Sequence, residues 1–316
     1  MTNNLKFSHY PPSKLAFGCE LLGGVDWGKY DLNAVKKAIN YAYDLGITTF
    51  DTADVYGLGR SEIELSKTLG KKRHKAFIIS KFGLKWSTSN KKNERAIIKN
   101  DCSSAHMKFA LENTLKRLRI EALPLYLVHW PDKSTPIEKV CHALENFVKE
   151  GKILNYGISN FNKQDISIIS KNSNIKAIED SFNLKDFKDK KCNFETAKKH
   201  KLYTFSYGPL AQGLLTGKYS GKHKFKSNDR RYRLKHFQSS AWGNNNILLN
   251  KISIIAQKYN RNFSEVPIRW IIDYGLVDTV IFGAKNITHV DQISSCLKWQ
   301  LSNQDLNYLS GFDHDI

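Results

Sequence analysis

Short runs rich in apolar and β-branched residues alternate along the chain with longer stretches whose apolar residues recur at helical spacing. The short runs predict β-strands, and the longer stretches predict amphipathic helices. This alternation is typical of repeated βα units, which build a parallel sheet. The predicted strands are Leu15–Gly18, Thr48–Asp51, Ala76–Lys81, Pro124–His129, Ile153–Ser159, Lys176–Asp180, Tyr203–Tyr207 and Thr279–Gly283.

Helical periodicity follows each predicted strand, and turn-forming residues support several of the helix ends. Pro136 stands near the start of one helix, and Gly46, Gly70 and Gly151 stand where three helices should stop. The predicted helices are Leu32–Leu45, Ser61–Leu69, Ser104–Leu118, Pro136–Lys149, Lys163–Ser170, Phe194–His200, Ile247–Tyr259 with Ser264–Tyr274, and Ile287–Leu297.

Eight strands, each followed by helix, are the number that a closed (β/α)8 TIM barrel requires. A doubly wound open sheet is the alternative, but it usually carries a GxGxxG fingerprint after its first strand. The segment from Gly18 to Gly24 lacks that spacing. We therefore expect the α/β class, with residues 1–316 forming one (β/α)8 barrel domain. Lys85–Asp101 and Gly217–Asn246 are predicted to be long loops with roles of their own.

The composition predicts a chain with a large core, because 41% of its residues are hydrophobic and 25% are charged. The polar start, Met1 to Lys14, predicts no signal peptide, and charges interrupt the apolar stretch from Val266 to Ala284, which predicts no membrane span. The five cysteines are widely spaced, which predicts neither a disulfide framework nor a metal site. A reducing, cytoplasmic location fits this pattern best.

The chain carries 49 basic and 30 acidic side chains, a formal net charge of +19. Such an excess can indicate binding to nucleic acid or to an anionic membrane, or it can reflect a lysine-rich solvated surface. The lysines are scattered along the whole chain, which favours the solvated surface. We therefore expect no nucleic-acid and no membrane partner, although a basic protein suits an anionic cofactor or substrate.

Three predicted strands end in polar residues, at Asp51, Lys81 and His129, and Tyr56 follows closely after the first of these. In a (β/α)8 barrel the carboxyl ends of the strands and the loops that follow them form the active site. Each residue also has a purely structural interpretation. Asp51 could cap a turn, Lys81 could be a solvated strand end, His129 could be a core histidine, and Tyr56 could be a packing aromatic. Their shared position at one barrel mouth favours a common function.

These four residue types together suit the reduction of a carbonyl group. Hydride addition to a carbonyl requires a proton for the oxygen, and a tyrosine, with a pKa of about 10, donates poorly unless its phenolate is stabilised. We expect Lys81 to lower the pKa of Tyr56, with Asp51 holding the ammonium in place. His129 is expected to hydrogen-bond the carbonyl oxygen and orient the substrate.

At these residues the sequence resembles the aldo-keto reductases, and the resemblance extends in order over nearly the whole chain. Asp51 and Tyr56 lie in DTADVYG, which resembles the family signature around its aspartate and its proton-donor tyrosine. Further segments resemble the family's lysine, histidine, fifth-strand and seventh-strand motifs: Ile79–Gly83, Leu125–Pro131, Glu150–Phe161 and Tyr207–Tyr219.

The resemblance implies a reductase that uses NADP(H) and acts on a small aldehyde or ketone. Tyr56 would be the general acid, tuned by Lys81 and Asp51, and His129 would orient the carbonyl. Ser159, Asn160 and the residue at position 179, here Glu179, are the implied contacts of the nicotinamide carboxamide. Tyr207 is implied to stack under the nicotinamide ring. The implied pyrophosphate contacts are Leu210, Gln212, Gly213, Leu215 and Lys218. The implied contacts to the adenosine 2′-phosphate and adenine are Gly283, Lys285, Asn286, His289 and Gln292.

Several positions depart from the family pattern. Glu179 stands where the family usually has a glutamine, and a carboxylate accepts hydrogen bonds but donates one only when protonated. Lys285 stands where arginine is frequent, so it would hold a phosphate as a point charge without a bidentate fork. Phe282, Gln292 and Ile293 replace a proline, an acidic residue and an asparagine. Lys285 beside a helix N-terminus still favours NADP(H) over NAD(H).

Glu20 gives a hint about the substrate, because the family often has an apolar or aromatic residue there. A carboxylate near the cofactor suggests a polar, hydroxyl-bearing substrate such as a keto-sugar, or else it forms a salt bridge with a nearby Lys or Arg. Trp27, Trp86 and Trp130 are the other candidate pocket walls. The basic segment Lys222–His236, with Trp242, would either close over the cofactor or form a mobile solvated insertion.

A second function remains open at this stage. A cofactor-sensing regulatory subunit, similar to the potassium-channel β subunits that resemble this family, would bind NADP(H) tightly with little turnover. Such a protein can keep all four candidate catalytic residues. The sequence leaves the substrate, the physiological direction and the oligomeric state open.

Overall fold

The computed structural model describes Phe7, residues 11–87 and residues 96–311. Eight parallel strands close into a barrel, each paired with the next along the chain and the last paired with the first. The predicted (β/α)8 barrel is confirmed. Its strands are β1 (Leu15–Gly18), β2 (Thr49–Asp51), β3 (Phe77–Phe82), β6 (Leu125–Val128), β7 (Tyr156–Ser159), β8 (Ala177–Ser181), β9 (Tyr203–Tyr207) and β10 (Thr279–Phe282), while β4 (Leu84–Ser87) and β5 (Ile97–Asn100) form a separate antiparallel hairpin.

Helices surround the barrel, and their buried apolar residues form one core cluster with the outer side of the strands. Within the described ranges, no helix is long and apolar enough to cross a membrane. The helices are α1 (Leu32–Asp44), α2 (Arg60–Leu69), α3 (Ser104–Leu118), α4 (Ile137–Lys149), α5 (Lys163–Asn172), α6 (Phe187–Lys199), α7 (Trp242–Lys258), α8 (Glu265–Tyr274), α9 (Ile287–Ser294) and α10 (Asn303–Ser310).

The inside of the barrel is apolar at the amino ends of the strands and polar at their carboxyl ends. Successive side chains of a strand point to opposite faces, so every second residue lies on the same side. Phe77 and Ile79 of β3 belong to the apolar cluster inside the barrel, and Lys81 is next in the same series. Ala177 of β8 belongs to that cluster too, and Glu179 follows it in the same way. The strand period therefore brings charged groups to one end of the barrel.

The structure differs from the sequence-based expectation in several elements. The segment Lys85–Asp101, predicted as a loop, contains most of the hairpin β4–β5, although residues 88–95 lie outside the described residues. Helix α6 begins at Phe187 and α7 at Trp242, each earlier than predicted, and α10 was not predicted. The first turns of α6 and α7 are rich in Lys, Asp and Asn, so they carry little of the apolar periodicity on which the prediction depended.

Residues 217–241, which we call the strap, connect β9 to α7 through short turns of 3-10 helix. The strap packs against residues 19–31, which we call the first loop. Trp27 of the first loop and Asp229 of the strap form an antiparallel β-bridge, and the backbone N–H of Arg230 donates to the carbonyl oxygen of Asp26 at 3.0 Å. Asp229 and Arg231 are buried in this contact, while most of Lys222–His236 is exposed to solvent.

Candidate active site

A cavity of about 780 Å³ opens at the carboxyl ends of the barrel strands, between the first loop and the strap. Most of the residues singled out from the sequence lie on its wall. These are Glu20, Trp27, Asp51, Tyr56, His129, Trp130, Asn160, Glu179, Tyr207, Leu210, Gln212, Gly213, Lys218, Gly283, Lys285, His289 and Gln292. The barrel therefore gathers residues from seven strands and their loops around one space.

Lys81 is fully buried and lies between two carboxyl groups inside the barrel. Its Nζ atom forms a short ion pair with Asp51, lies 3.3 Å from Oε1 of Glu179, and donates to the carbonyl oxygen of Thr52 at 3.1 Å. Burial acts to lower the pKa of Lys81, but the two carboxyl groups outweigh it and raise the pKa. Lys81 therefore stays an ammonium, held between the Asp51 and Glu179 side chains.

Tyr56 lies in the turn that follows β2, with its ring against both Lys81 and His129. The Nζ atom of Lys81 is 5.6 Å from the centre of the Tyr56 ring, and the ring of His129 meets it edge-on with 5.8 Å between ring centres. The expected lowering of the Tyr56 pKa by Lys81 is not found. Burial above all, and then the nearby carboxyl groups, Asp51 first among them, raise the pKa of Tyr56 well above its usual value.

His129 follows β6 directly, and its backbone N–H donates to the carbonyl oxygen of Phe82 at 2.8 Å. Burial, helped by the charge of Lys81, holds the pKa of the His129 imidazole well below its usual value. The ring is therefore neutral at neutral pH. Its Nδ1 atom has no hydrogen-bond partner among the described residues, so the ring keeps hydrogen-bonding capacity beside Tyr56.

Asn160 connects three parts of the cavity wall through hydrogen bonds. Its side-chain Nδ2 donates to the carbonyl oxygen of His129 at 2.9 Å and to Oγ of Ser159 at 3.0 Å, while Tyr207 Oη donates to its Oδ1 at 2.7 Å. Ser159 itself does not line the cavity and acts here by holding Asn160. These bonds fix Asn160 and Tyr207 next to each other on the wall.

The turn Ala211–Thr216 after β9 exposes backbone at the cavity wall. Gln212 and Gly213 both adopt positive φ angles, of 54° and 95°, and both line the cavity. A β-carbon at Gly213 would lie 3.3 Å from the ring of Tyr219, so this position suits glycine. Leu215, expected in the cofactor site, is fully buried beneath the turn and does not reach the cavity.

One end of the cavity concentrates positive charge. Lys218 Nζ lies 3.3 Å from Nε2 of His289, and Lys285 approaches the same histidine through its backbone N–H. Burial, Arg231 and Lys218 lower the pKa of Lys285, although Asp229 opposes them, and burial with Lys218 and Lys285 lowers the pKa of His289. Because Lys218, Lys285 and His289 disfavour one another's positive charge, an anion bound between them would be stabilised.

Helix α9 begins beside this positive end of the cavity. Asn286, also predicted from the sequence, caps the helix by accepting from the backbone N–H of His289 at 3.0 Å, and it does not line the cavity. The N-terminus of a helix adds unpaired N–H groups and a positive dipole end. The predicted phosphate end of the site and the positive end of the cavity therefore coincide.

Glu20 on the first loop pairs with Arg230 of the strap through both carboxylate oxygens. The Arg230 guanidinium also lies 4.8 Å from the centre of the Trp27 ring. The salt bridge that was one expectation for Glu20 is thus present, while Glu20 and Arg230 both still line the cavity.

Two tryptophans singled out from the sequence lie away from the cavity wall. Trp86 of β4 does not line the cavity, although Leu84 of the same strand and Ile98, which pairs with Trp86 from β5, both do. Trp242 begins α7 and is buried beneath the strap, where it contacts Gly221.

The sequence reasoning missed several residues of the cavity wall. Arg230 and Arg231 lie inside a segment that was considered only as a whole, and Phe263 lies two residues before α8, outside the family motifs. Arg231 is buried, bonds to Asp229, and donates to Tyr219 Oη at 2.5 Å. Two adjacent arginines in a long loop could have drawn attention to this segment in the sequence. That they lie over the cavity follows only from the fold.

Comparison with known proteins agrees with this geometry. The model of the aldo/keto reductase family matches residues 14–314. The aldo-keto reductase YhdN of Bacillus subtilis is 30% identical over 296 residues, which cover 93% of this chain and 87% of that protein. The aldo-keto reductase yakc [NADP(+)] of Schizosaccharomyces pombe is 27% identical over 294 residues, which cover 92% and 85%.

A solved structure with the same fold is that of a glycerol dehydrogenase from Gluconobacter oxydans. It is 30% identical in sequence, superposes with a TM-score of 0.87, and the match covers 96% of this chain and 92% of that one. The sequence match and the structural match therefore both extend over nearly the whole chain. This chain belongs to the aldo-keto reductase family of NAD(P)-dependent oxidoreductases.

Proposed function

We propose that this protein is an NADP(H)-dependent reductase of aldehydes or ketones in which Tyr56 gives the proton to the substrate oxygen. The observation that carries the proposal is the contact between Tyr56 and His129 above the buried Lys81–Asp51 ion pair, on the wall of a deep cavity. Proton donor, hydrogen-bonding imidazole and buried cation stand together where a carbonyl oxygen would need them.

The bound cofactor supplies the hydride for the carbonyl carbon. Tyr56 protonates the carbonyl oxygen, and the neutral His129 ring donates a hydrogen bond that orients that oxygen. Lys81 stabilises the phenolate left on Tyr56, and Asp51 holds the ammonium in position. The raised pKa of Tyr56 keeps it protonated, and so able to act as an acid, through neutral pH.

The cavity wall fits a nicotinamide dinucleotide with a 2′-phosphate. Asn160, Glu179 and Tyr207 offer polar groups and a ring near Tyr56, and Glu179 keeps one buried oxygen, Oε2, without a hydrogen-bond partner among the described residues. Lys218 and Lys285, with Arg231 and His289 beside them, offer charge at the other end. The relative from Schizosaccharomyces pombe, named with NADP(+), supports this preference.

We further propose a polar substrate that carries hydroxyl groups next to its carbonyl. Glu20 and Arg230 bring hydrogen-bonding groups to a mouth otherwise lined by Trp27, Trp130 and Ile98. The related glycerol dehydrogenase of Gluconobacter oxydans acts on a small polyol, which supports the same substrate class here. Hydroxy-aldehydes, hydroxy-ketones and open-chain keto-sugars are the first compounds to screen.

Tryptophan fluorescence during titration with NADPH and NADH tests the cofactor part of the proposal. We expect tighter binding of NADPH, and we expect Lys285→Ala to weaken NADPH binding by about tenfold while NADH binding changes little, since an ionic contact to phosphate contributes about 1.4 kcal/mol. Lys171→Ala, which removes an exposed lysine of α5 far from the cavity, is the matched control. If Lys285→Ala weakened the binding of NADPH and of NADH equally, that result would contradict a contact between Lys285 and the 2′-phosphate.

A further inference from the structure

Glu179 differs from the other polar residues inside the barrel because it adds a second carboxyl group to the Asp51–Lys81 ion pair. It is buried in β8 and reaches Lys81 from the opposite side of the barrel to Asp51. Its Oε1 atom lies 3.3 Å from Lys81 Nζ, and the side chains of Asp51 and Glu179 are close enough to share a hydrogen bond.

The charges in this cluster do not balance if both carboxyl groups ionise. Lys81 supplies one positive charge to Asp51 and Glu179, so full ionisation would leave one negative charge that this cluster does not neutralise. A buried charge without a partner is costly, and two carboxyl groups that share one site usually keep one proton between them.

Geometry assigns this proton to Glu179. Asp51 forms the shorter, hydrogen-bonded contact with Lys81, whereas Glu179 forms the longer one. Glu179 Oε2 is buried and has no hydrogen-bond partner among the described residues, so no neighbouring donor stabilises a negative charge on it. Burial and the Asp51 carboxylate raise the pKa of Glu179 well above its usual value, and burial also raises that of Asp51 despite Lys81.

The other titratable groups around the cluster do not change the assignment of the proton to Glu179. Tyr56 and Tyr207 face the cluster with pKa values raised mainly by burial, and His129 is neutral, so none of them adds charge at neutral pH. From the adjacent strand β7, Ser159 does not titrate in this range. The residue after Glu179, Asp180, is paired with Lys190.

We propose, building on the proposed reductase function, that Glu179 is a positioning residue which carries the one proton shared by the Asp51–Glu179 pair, and that losing this proton slows reduction. Loss of the proton adds a negative charge to the cluster below Tyr56. That charge disfavours the phenolate, so Tyr56 becomes a weaker acid and gives its proton to the carbonyl oxygen more slowly. The protonated acid also imitates a glutamine, because it both donates and accepts a hydrogen bond.

Infrared spectroscopy of the protein without cofactor tests the location of the proton directly. We expect the wild type to show the carbonyl stretch of a protonated carboxylic acid at neutral pH and to lose it at alkaline pH. Glu179→Gln, which keeps the shape, should lack that pH-sensitive band. Asp54, another buried carboxyl with a raised pKa, contributes the same signal to both proteins, so the Glu179 band is taken from the difference between wild type and Glu179→Gln. The same pH-sensitive band in Glu179→Gln would overturn the proposal.

Asp51→Asn provides a second spectroscopic variant. With only one carboxyl group left beside Lys81, Glu179 should ionise, and its acid band should be absent at neutral pH. Persistence of the Glu179 acid band in Asp51→Asn would show that Glu179 is neutral for reasons unrelated to the pair, and would overturn the shared proton. Circular dichroism of both variants verifies that they fold.

The pH profile of kcat connects the proton to catalysis. The wild-type rate of reduction should fall about tenfold per pH unit above the pH at which the acid band disappears, as expected for loss of one essential proton. Glu179→Gln should lack this alkaline fall, whatever its rate at neutral pH. An unchanged alkaline fall in Glu179→Gln would contradict the positioning role. Failure of every carbonyl compound to react would instead reject the proposed function, while the infrared result would still decide where the proton lies.

Discussion

The backbones of Gly23 and Gly57 lie so close together that a β-carbon on either residue would collide with the other. A β-carbon on Gly23 would lie 2.8 Å from the nitrogen of Gly57, and one on Gly57 would lie 2.6 Å from the α-carbon of Gly23. Gly57 directly follows Tyr56 and has a φ angle of 60°. The contact between these glycines therefore fixes the turn that carries Tyr56 against the first loop.

Gly57→Ala is expected to displace Tyr56 and to lower kcat by about tenfold or more, because a small misplacement of a reacting group has large effects. The positive φ angle adds roughly 1–2 kcal/mol of strain. Gly46→Ala is the matched control, since Gly46 has a φ angle of 86° and no atom within 4 Å of an added β-carbon. Steady-state kinetics and thermal unfolding should show both variants destabilised and only Gly57→Ala impaired in kcat. Equal kcat in the two variants would contradict the role of the contact.

Protonation of His289 is expected to couple to binding of the 2′-phosphate. The pKa of His289 is lowered by burial, Lys218 and Lys285, so the ring is neutral in the free protein at neutral pH. A phosphate raises this pKa, so NADPH binding takes up a proton and strengthens as the pH falls through neutral towards the lowered pKa of the free ring, by up to roughly tenfold per unit of pKa change. NADH binding should stay nearly constant.

The ratio of the NADH and NADPH dissociation constants, measured by fluorescence across this pH range, checks the coupling. His289→Asn should keep a ratio that does not vary with pH. The same pH dependence in His289→Asn would assign the proton to another group and reject the prediction.

The Arg230–Glu20 ion pair is expected to slow release of the cofactor, because it connects the strap to the first loop on the cavity wall. Both side chains are 29% exposed. Arg230→Gln should accelerate NADPH dissociation by about two- to fivefold, which corresponds to roughly 0.5–1 kcal/mol. Arg233 is more exposed than Arg230 and does not line the cavity. Arg233→Gln removes its pair with Asp26 and should change the rate less than twofold. Stopped-flow fluorescence measures both rates, and equal effects would argue against a role for Arg230 in retention.

Much of the barrel could be predicted from the sequence because its strands are short apolar runs with clear ends. The fold class followed from eight such runs, and Asp51, Lys81 and His129 were found because polar residues are unusual at the ends of buried strands. Helix α10 and the hairpin β4–β5 were missed. Both are short, and β5 is fully exposed, so neither has an apolar periodicity to detect.

Contacts between distant elements could not be predicted in the same way. Glu179 was noticed as a departure from the family pattern, but its contact with Lys81 crosses the barrel from β8 to β3. The bond between Arg230 and Glu20 joins residues 210 positions apart. The pKa of Tyr56 was expected to fall because only Lys81 and its partner Asp51 were considered. In the folded protein, burial and the carboxyl groups around the ring raise it instead.

Reduction of a hydroxy-ketone or hydroxy-aldehyde by NADPH in wild type and Tyr56→Phe is the most direct test of the proposed chemistry. Tyr56→Phe removes the proton donor and keeps the ring against His129. We expect kcat to fall by at least about a hundredfold, the usual contribution of a positioned general acid, while NADPH binding measured by fluorescence stays within about twofold of wild type. Substantial carbonyl reduction by Tyr56→Phe, with NADPH still bound, would contradict Tyr56 as the proton donor.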